Sequence, residues 1–196
     1  MNRYWISFLF VLIGCVGGCT NTKSVFLLFP EGNGLTEISP GIFIDDLASV
    51  QEKNQLNDFV VKAKGAIAKR YGSVESTPTI HACLTELCYH RFGGSSEIAK
   101  VFGDHILLSP RGFSWHFVAH EWSHAEMRKR LTIRAWLKLP QWFDDGVAVV
   151  VSEAPEHSVE HFKYLQSKGI NVPSPEELYT FESLSQWVDA IIKYGD

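Results

Sequence analysis

At 196 residues, 45% of them hydrophobic and 20% charged, the chain has the composition of an ordinary globular protein with room for one compact core, and it carries no low-complexity tract that would argue for disorder. Its formal net charge is −4, and Lys and Arg are scattered along the chain. No basic stripe interleaved with aromatics is present, so there is no footprint for nucleic acid.

In chain order, Met1-Asn2-Arg3 supplies a short positive start and Ile6 to Ile13 (ISFLFVLI) an apolar run. That run is too short to cross a bilayer and reads as a secretory signal. Cys15, in Leu-Ile-Gly-Cys, and Cys19, in Val-Gly-Gly-Cys, both resemble the lipobox of bacterial lipoproteins. Residues 1–19 are therefore read as signal peptide and lipobox, with lipidation at Cys15 or Cys19, and residues 20–196 as the domain. A diacylated cysteine would hold that domain on a membrane of the bacterial cell envelope, facing the periplasm or the exterior. In such an oxidising compartment Cys83 and Cys88 are close enough in sequence to form a disulfide. The alternative, a metal site from His81, Cys83, Cys88 and His90, lacks the paired Cys-x-x-Cys spacing of structural zinc sites.

Ser24 to Phe29 reads as a strand ended by Pro30, and Ile42 to Ile44 as a second. From about Leu47 to Tyr71 the apolar positions Leu56, Phe59, Val60, Ala63 and Ile67 recur at helical spacing, with Gly72 as a stop. Thr77 to Leu84 and Ala99 to Leu108 read as strands around a loop from Cys83 to Ser96. Ser109-Pro110 then opens a helix to about Leu131. Further helices are expected from Gln141 to Ser152, from Ala154-Pro155 to about Ser167, and around Leu184 to Lys193. Strands come first and helices second, without βαβ alternation, so the fold class is α+β.

The segment His120-Glu121-Trp122-Ser123-His124 places two imidazoles one helical turn apart on one face, where both can reach the same metal ion. Glu121 leans to the side of that stripe, where its carboxylate can take a proton from the attacking water without being a ligand. A catalytic zinc also wants a third protein ligand and an open position.

Together with Leu139-Pro140-Gln141-Trp142-Phe143-Asp144-Asp145-Gly146-Val147-Ala148, this His-Glu-x-x-His segment resembles the gluzincin, or peptidase MA-like, zinc metallopeptidases. The resemblance covers roughly Ala99 to Ala148 and, more loosely, Val172 to Leu178. It implies a zincin-like fold, with a small mixed sheet whose edge strand packs on the motif helix and a helical C-terminal half. It further implies Zn2+ held by His120, His124 and a carboxylate from the following helix, with Glu121 as the catalytic base acting on peptide or protein substrates. The family's glutamate ligand corresponds to Asp145, one methylene shorter, and Asp144 is the fallback ligand. The family's edge strand receives extended substrate, and Val101 to Leu108 is this chain's candidate. An internal strand is the alternative.

Other residues have plainer readings. His116 shares the histidine stripe, but it lies about 12 Å from His124 along the axis and belongs to the surroundings of the site or its rim. Glu126 points away from the stripe and is expected to pair with Arg130 on a solvated face. His157, His161, Tyr164 and Tyr179 are all of a type suited to oxyanion stabilisation, and nothing ranks them. The rival to a membrane-tethered metallopeptidase is a lipoprotein that keeps the scaffold as a binding or structural module.

Overall fold

The computed structural model describes residues 22–139 and 141–153. The signal and lipobox with Cys15 and Cys19, the two C-terminal helices and the four oxyanion candidates lie outside the described residues. Among the described residues no helix is long and apolar enough to cross a membrane.

The run Ser24 to Phe29, expected as a strand, is helical as far as Leu28, in a 3-10 helix over Thr22–Leu28. Its apolar side chains do not alternate between two buried faces: Leu27 is buried while Val25, Phe26, Leu28 and Phe29 are exposed. The first strand is instead β1, Leu35–Ser39, in which Leu35 alone is fully buried. It forms an antiparallel pair with β2, Ile42–Asp45.

From β2 the chain enters α1, Val50–Tyr71, which starts at a capping box. The Ser49 side chain accepts from the Glu52 amide, and the Glu52 carboxylate accepts from the Ser49 amide at 2.7 Å. This satisfies free donors of the first turn. At the other end the Gly72 amide donates to the Ala68 carbonyl at 2.9 Å. The next strand, β3, Thr79–Ala82, lies parallel to β2, so α1 is the crossover of a βαβ unit. That corrects the expectation of no such unit. The five-stranded mixed sheet has the order β1-β2-β3-β5-β4, and the fold is α+β.

The loop expected between Cys83 and Ser96 contains a short helix, α2, Glu86–Arg91, capped by Thr85. The stretch Ala99 to Leu108, read as one strand, is a hairpin of β4, Ala99–Phe102, and β5, His105–Leu108. Gly103 turns the chain at φ 61°, a backbone conformation that side chains with a Cβ resist. The consequence for the site is a correction. β5 is interior, paired with β3 on its other side, and of the hairpin only β4 lies at a sheet edge.

Two apolar clusters cover the sheet. Ile80, Ala82, Ile106 and Leu108 point into the main core with Leu56, Ile67, Val118 and Trp122. The alternate positions Cys83 and Leu107 face a second cluster with Leu27, Leu35, Tyr89 and Phe92. Burial on both faces explains why these strands read as continuous apolar runs.

After β5 the expected long helix is divided. A 3-10 turn, Pro110–Gly112, precedes α3, Trp115–Arg130. Gly112 packs so closely on the Ile98 carbonyl that a Cβ could not fit there. A short α4, Ile133–Trp136, leads to α5, Gln141–Ser152, which packs on α3.

Candidate metal centre

α3 is locked in rotation by buried polar groups. Glu126, wholly buried, accepts from the amides of Glu75 and Ser76 at 2.9 Å each and from the Ser76 hydroxyl at 2.6 Å. Arg130 donates to the same carboxylate at 2.8 Å. The Trp122 indole donates to Ser76 Oγ at 3.0 Å, and Tyr71 and Ser123 share a hydroxyl pair at 2.8 Å. The Glu126–Arg130 pair was expected, but on a solvated face. The face opposite the histidines meets the segment before β3, so the pair is an interior anchor.

With that side of α3 turned inward, the other side presents His120, Glu121 and His124 to a cleft of about 530 Å³. Edge strand β4 lines it through Ala99, Lys100 and Val101, and α5 contributes Asp144 and Asp145. The imidazoles of His120 and His124 meet edge to face, with their Nε2 atoms 3.3 Å apart. Asp145 Oδ1 lies 3.6 Å from Nε2 of His124.

His120, His124 and Asp145 offer one ligand atom each, all within 4.8 Å of one another. Two nitrogens at zinc-bond length from a common centre, at the tetrahedral angle, are about 3.3 Å apart. The spacings at His124 therefore suit a first-row divalent ion, and the donor set of two imidazoles and a carboxylate fits the same chemistry. Asp145, despite its shorter side chain, reaches the group.

Asp144 has a different place from the ligand position considered for it. Its Oδ2 accepts from Nδ1 of His124 at 2.9 Å, on the side of the ring away from His120. A carboxylate behind a histidine fixes the ring and leaves Nε2 for an ion. Burial disfavours a charged His124, but the Asp144 hydrogen bond and charge, joined by Glu121 and Asp145, hold its pKa up at about 9. The negative field that retains this proton is the field that a divalent cation would meet.

Glu121 is buried to 8% exposure and lines the cleft. His116 stands outside the group: its Nδ1 donates to the Ser152 carbonyl at 2.8 Å and ties α3 to the end of α5. Spacing along the chain could not reveal that contact, which joins residues on separate helices.

Cys83 and Cys88 form the expected disulfide. The rival Cys/His site is not assembled, because His81 pairs with His105 at 3.0 Å and His90 Nδ1 donates to the Gly94 carbonyl at 2.9 Å. Comparison with known proteins gives no match to a family model, a curated protein or a solved structure.

Proposed function

We propose that the protein is a zinc-dependent hydrolase of peptide amide bonds with a zincin-like fold, akin to the gluzincins and carrying aspartate in place of their glutamate ligand. The observation that supports this best is the convergence of His120, His124 and Asp145 in a cleft that Glu121 also lines, beside an edge strand. In this reading the domain is tethered to the bacterial envelope by a lipid on Cys15 or Cys19. The disulfide suits an oxidising compartment.

Zinc, when bound, supplies Lewis acidity that polarises the scissile carbonyl and acidifies water. His120, His124 and Asp145 would hold it, and Asp144 keeps the His124 ring in register. Glu121 takes the proton of the attacking water and returns it to the departing amine. The outer edge of β4 offers backbone donors and acceptors on which an extended peptide can align before attack.

Two measurements on the full chain test the reading. Metal content should be near stoichiometric in the wild-type protein and lost in His120→Ala. Hydrolysis of a fluorogenic peptide library should fall about 10²–10⁴-fold in Glu121→Gln, with metal content retained. Peptide turnover indifferent to Glu121→Gln, or none in the zinc-loaded protein, would leave a binding module instead.

A further inference from the structure

Among the described residues, each charged group that faces the cleft, except one, has an ion-pair partner or belongs to the site proposed above. Lys100 is held by Glu97 at 2.7 Å, and Asp144 by His124 at 2.9 Å. Asp145 belongs to the metal group, and Glu121 is the base of the proposed reaction. Arg128 remains. Among the described residues no carboxylate lies within ion-pair distance of its guanidinium, although it lines the same cleft.

Its position is defined on two sides. The guanidinium carbon lies 5.9 Å from the ring centroid of Trp136 in α4. On the other side, a Cβ built on Gly103, in the β4–β5 turn, would be 3.3 Å from Nη1. Arg128 thus spans from the turn end of the edge strand to α4. A planar guanidinium against an aromatic ring keeps in-plane N–H groups for a carboxylate, which it can grip with two parallel hydrogen bonds.

We propose that Arg128 is a carboxylate-binding subsite, so that preferred peptides carry an acidic side chain or a free C-terminal carboxylate about two residues from the scissile bond. The spacing follows from simple geometry. Arg128 is one turn beyond His124, about 6 Å along the helix axis, and an extended peptide advances about 3.3 Å per residue. Lys100 is not the anchor, because Glu97 already neutralises it. This subsite rests on the hydrolase reading above.

The test uses the zinc-loaded full chain and quenched-fluorescent peptides with Glu, Gln or Lys two residues to either side of the cleaved bond. Each peptide is made as free acid and as C-terminal amide. Glu peptides should exceed their Gln counterparts about tenfold in kcat/KM. Arg128→Gln should erase the difference, and Arg128→Glu should turn it toward Lys, a gain that a misfolded variant could not show. If amidation alone removes the preference, the carboxylate is the chain terminus; if side-chain identity sets it, the carboxylate is an acidic residue. Either result supports the subsite.

Glu121-dependent cleavage with the same selectivity in wild type and Arg128→Glu would overturn the subsite and leave the hydrolase standing. Should nothing be cleaved, calorimetric binding of the same peptides decides. Charge-selective binding lost in Arg128→Glu keeps the subsite while the hydrolase fails, and binding without charge selectivity, or none at all, removes both.

Discussion

Asp144 Oδ2 and His124 Nδ1 lie 2.9 Å apart, on the opposite side of the imidazole from His120. The carboxylate accepts there, so Nδ1 carries a proton and Nε2 is aimed at His120 and Asp145. Adjacent residues of α5 thereby take different tasks: one could bind an ion, and the other orients a histidine that could bind it.

Asp144→Asn should therefore weaken zinc binding about 10–100-fold without displacing any ligand. Asp145→Ala, which removes a donor, should weaken it more. Competition against a chromophoric chelator measures both. Equal affinities for wild type and Asp144→Asn would show that the carboxylate does not support the ligand.

Chelation should lower stability and leave the secondary structure intact. α3 is anchored by Glu126, Arg130, Ser76 and Trp122, none of which belongs to the metal group. Far-UV circular dichroism should thus persist in excess chelator while Tm falls, since an ion at about a thousand times its Kd contributes about 4 kcal/mol. Collapse of the helical signal on chelation would mean that the ion organises the fold.

Glu126→Ala should destabilise the protein by about 3 kcal/mol, because it leaves the Glu75 and Ser76 amides and the Ser76 hydroxyl without their acceptor and Arg130 with only the half-exposed Glu75 carboxylate, at 3.3 Å, as an ion-pair partner. The Glu126 side chain is 0% exposed and that of Arg130 only 7%. Urea denaturation of the two proteins provides the comparison. A loss below ~1 kcal/mol would be that of a solvated surface pair and would contradict this burial.

The protein should lose stability in mild acid through His81. This ring is fully buried, stacks on Phe43 and hydrogen-bonds His105. Burial first, and the neighbouring charge of His105 second, push its pKa down to about 3. Unfolded, it titrates near ~6.5. Between these values the folded state binds fewer protons, so the contribution is complete above ~6.5 and shrinks as pH falls toward 3, by about 2 kcal/mol at pH 5. Denaturant midpoints at pH 5 and pH 7 should converge in His81→Gln. An unchanged gap in that variant would assign the acid sensitivity to other groups.

How much of this was legible in the chain follows the range of the forces involved. His120 and His124 share a face because helical periodicity is local, and Gly72 marks the end of α1, where its amide donates four residues back to Ala68. Cys83 and Cys88 are near enough to meet without any help from the rest of the fold. Periodicity also placed Glu126 opposite the histidines, but not what lay against it. The division of work between Asp144 and Asp145, the edge position of β4 rather than β5, and the burial of Glu126 each depend on segments far apart in sequence. Residue spacing determines which side chains share a surface. Only the packing of α3 against α5 and the strand order decide whether that surface meets solvent, core or another ligand, because those contacts are made by segments whose separation along the chain carries no periodic signal.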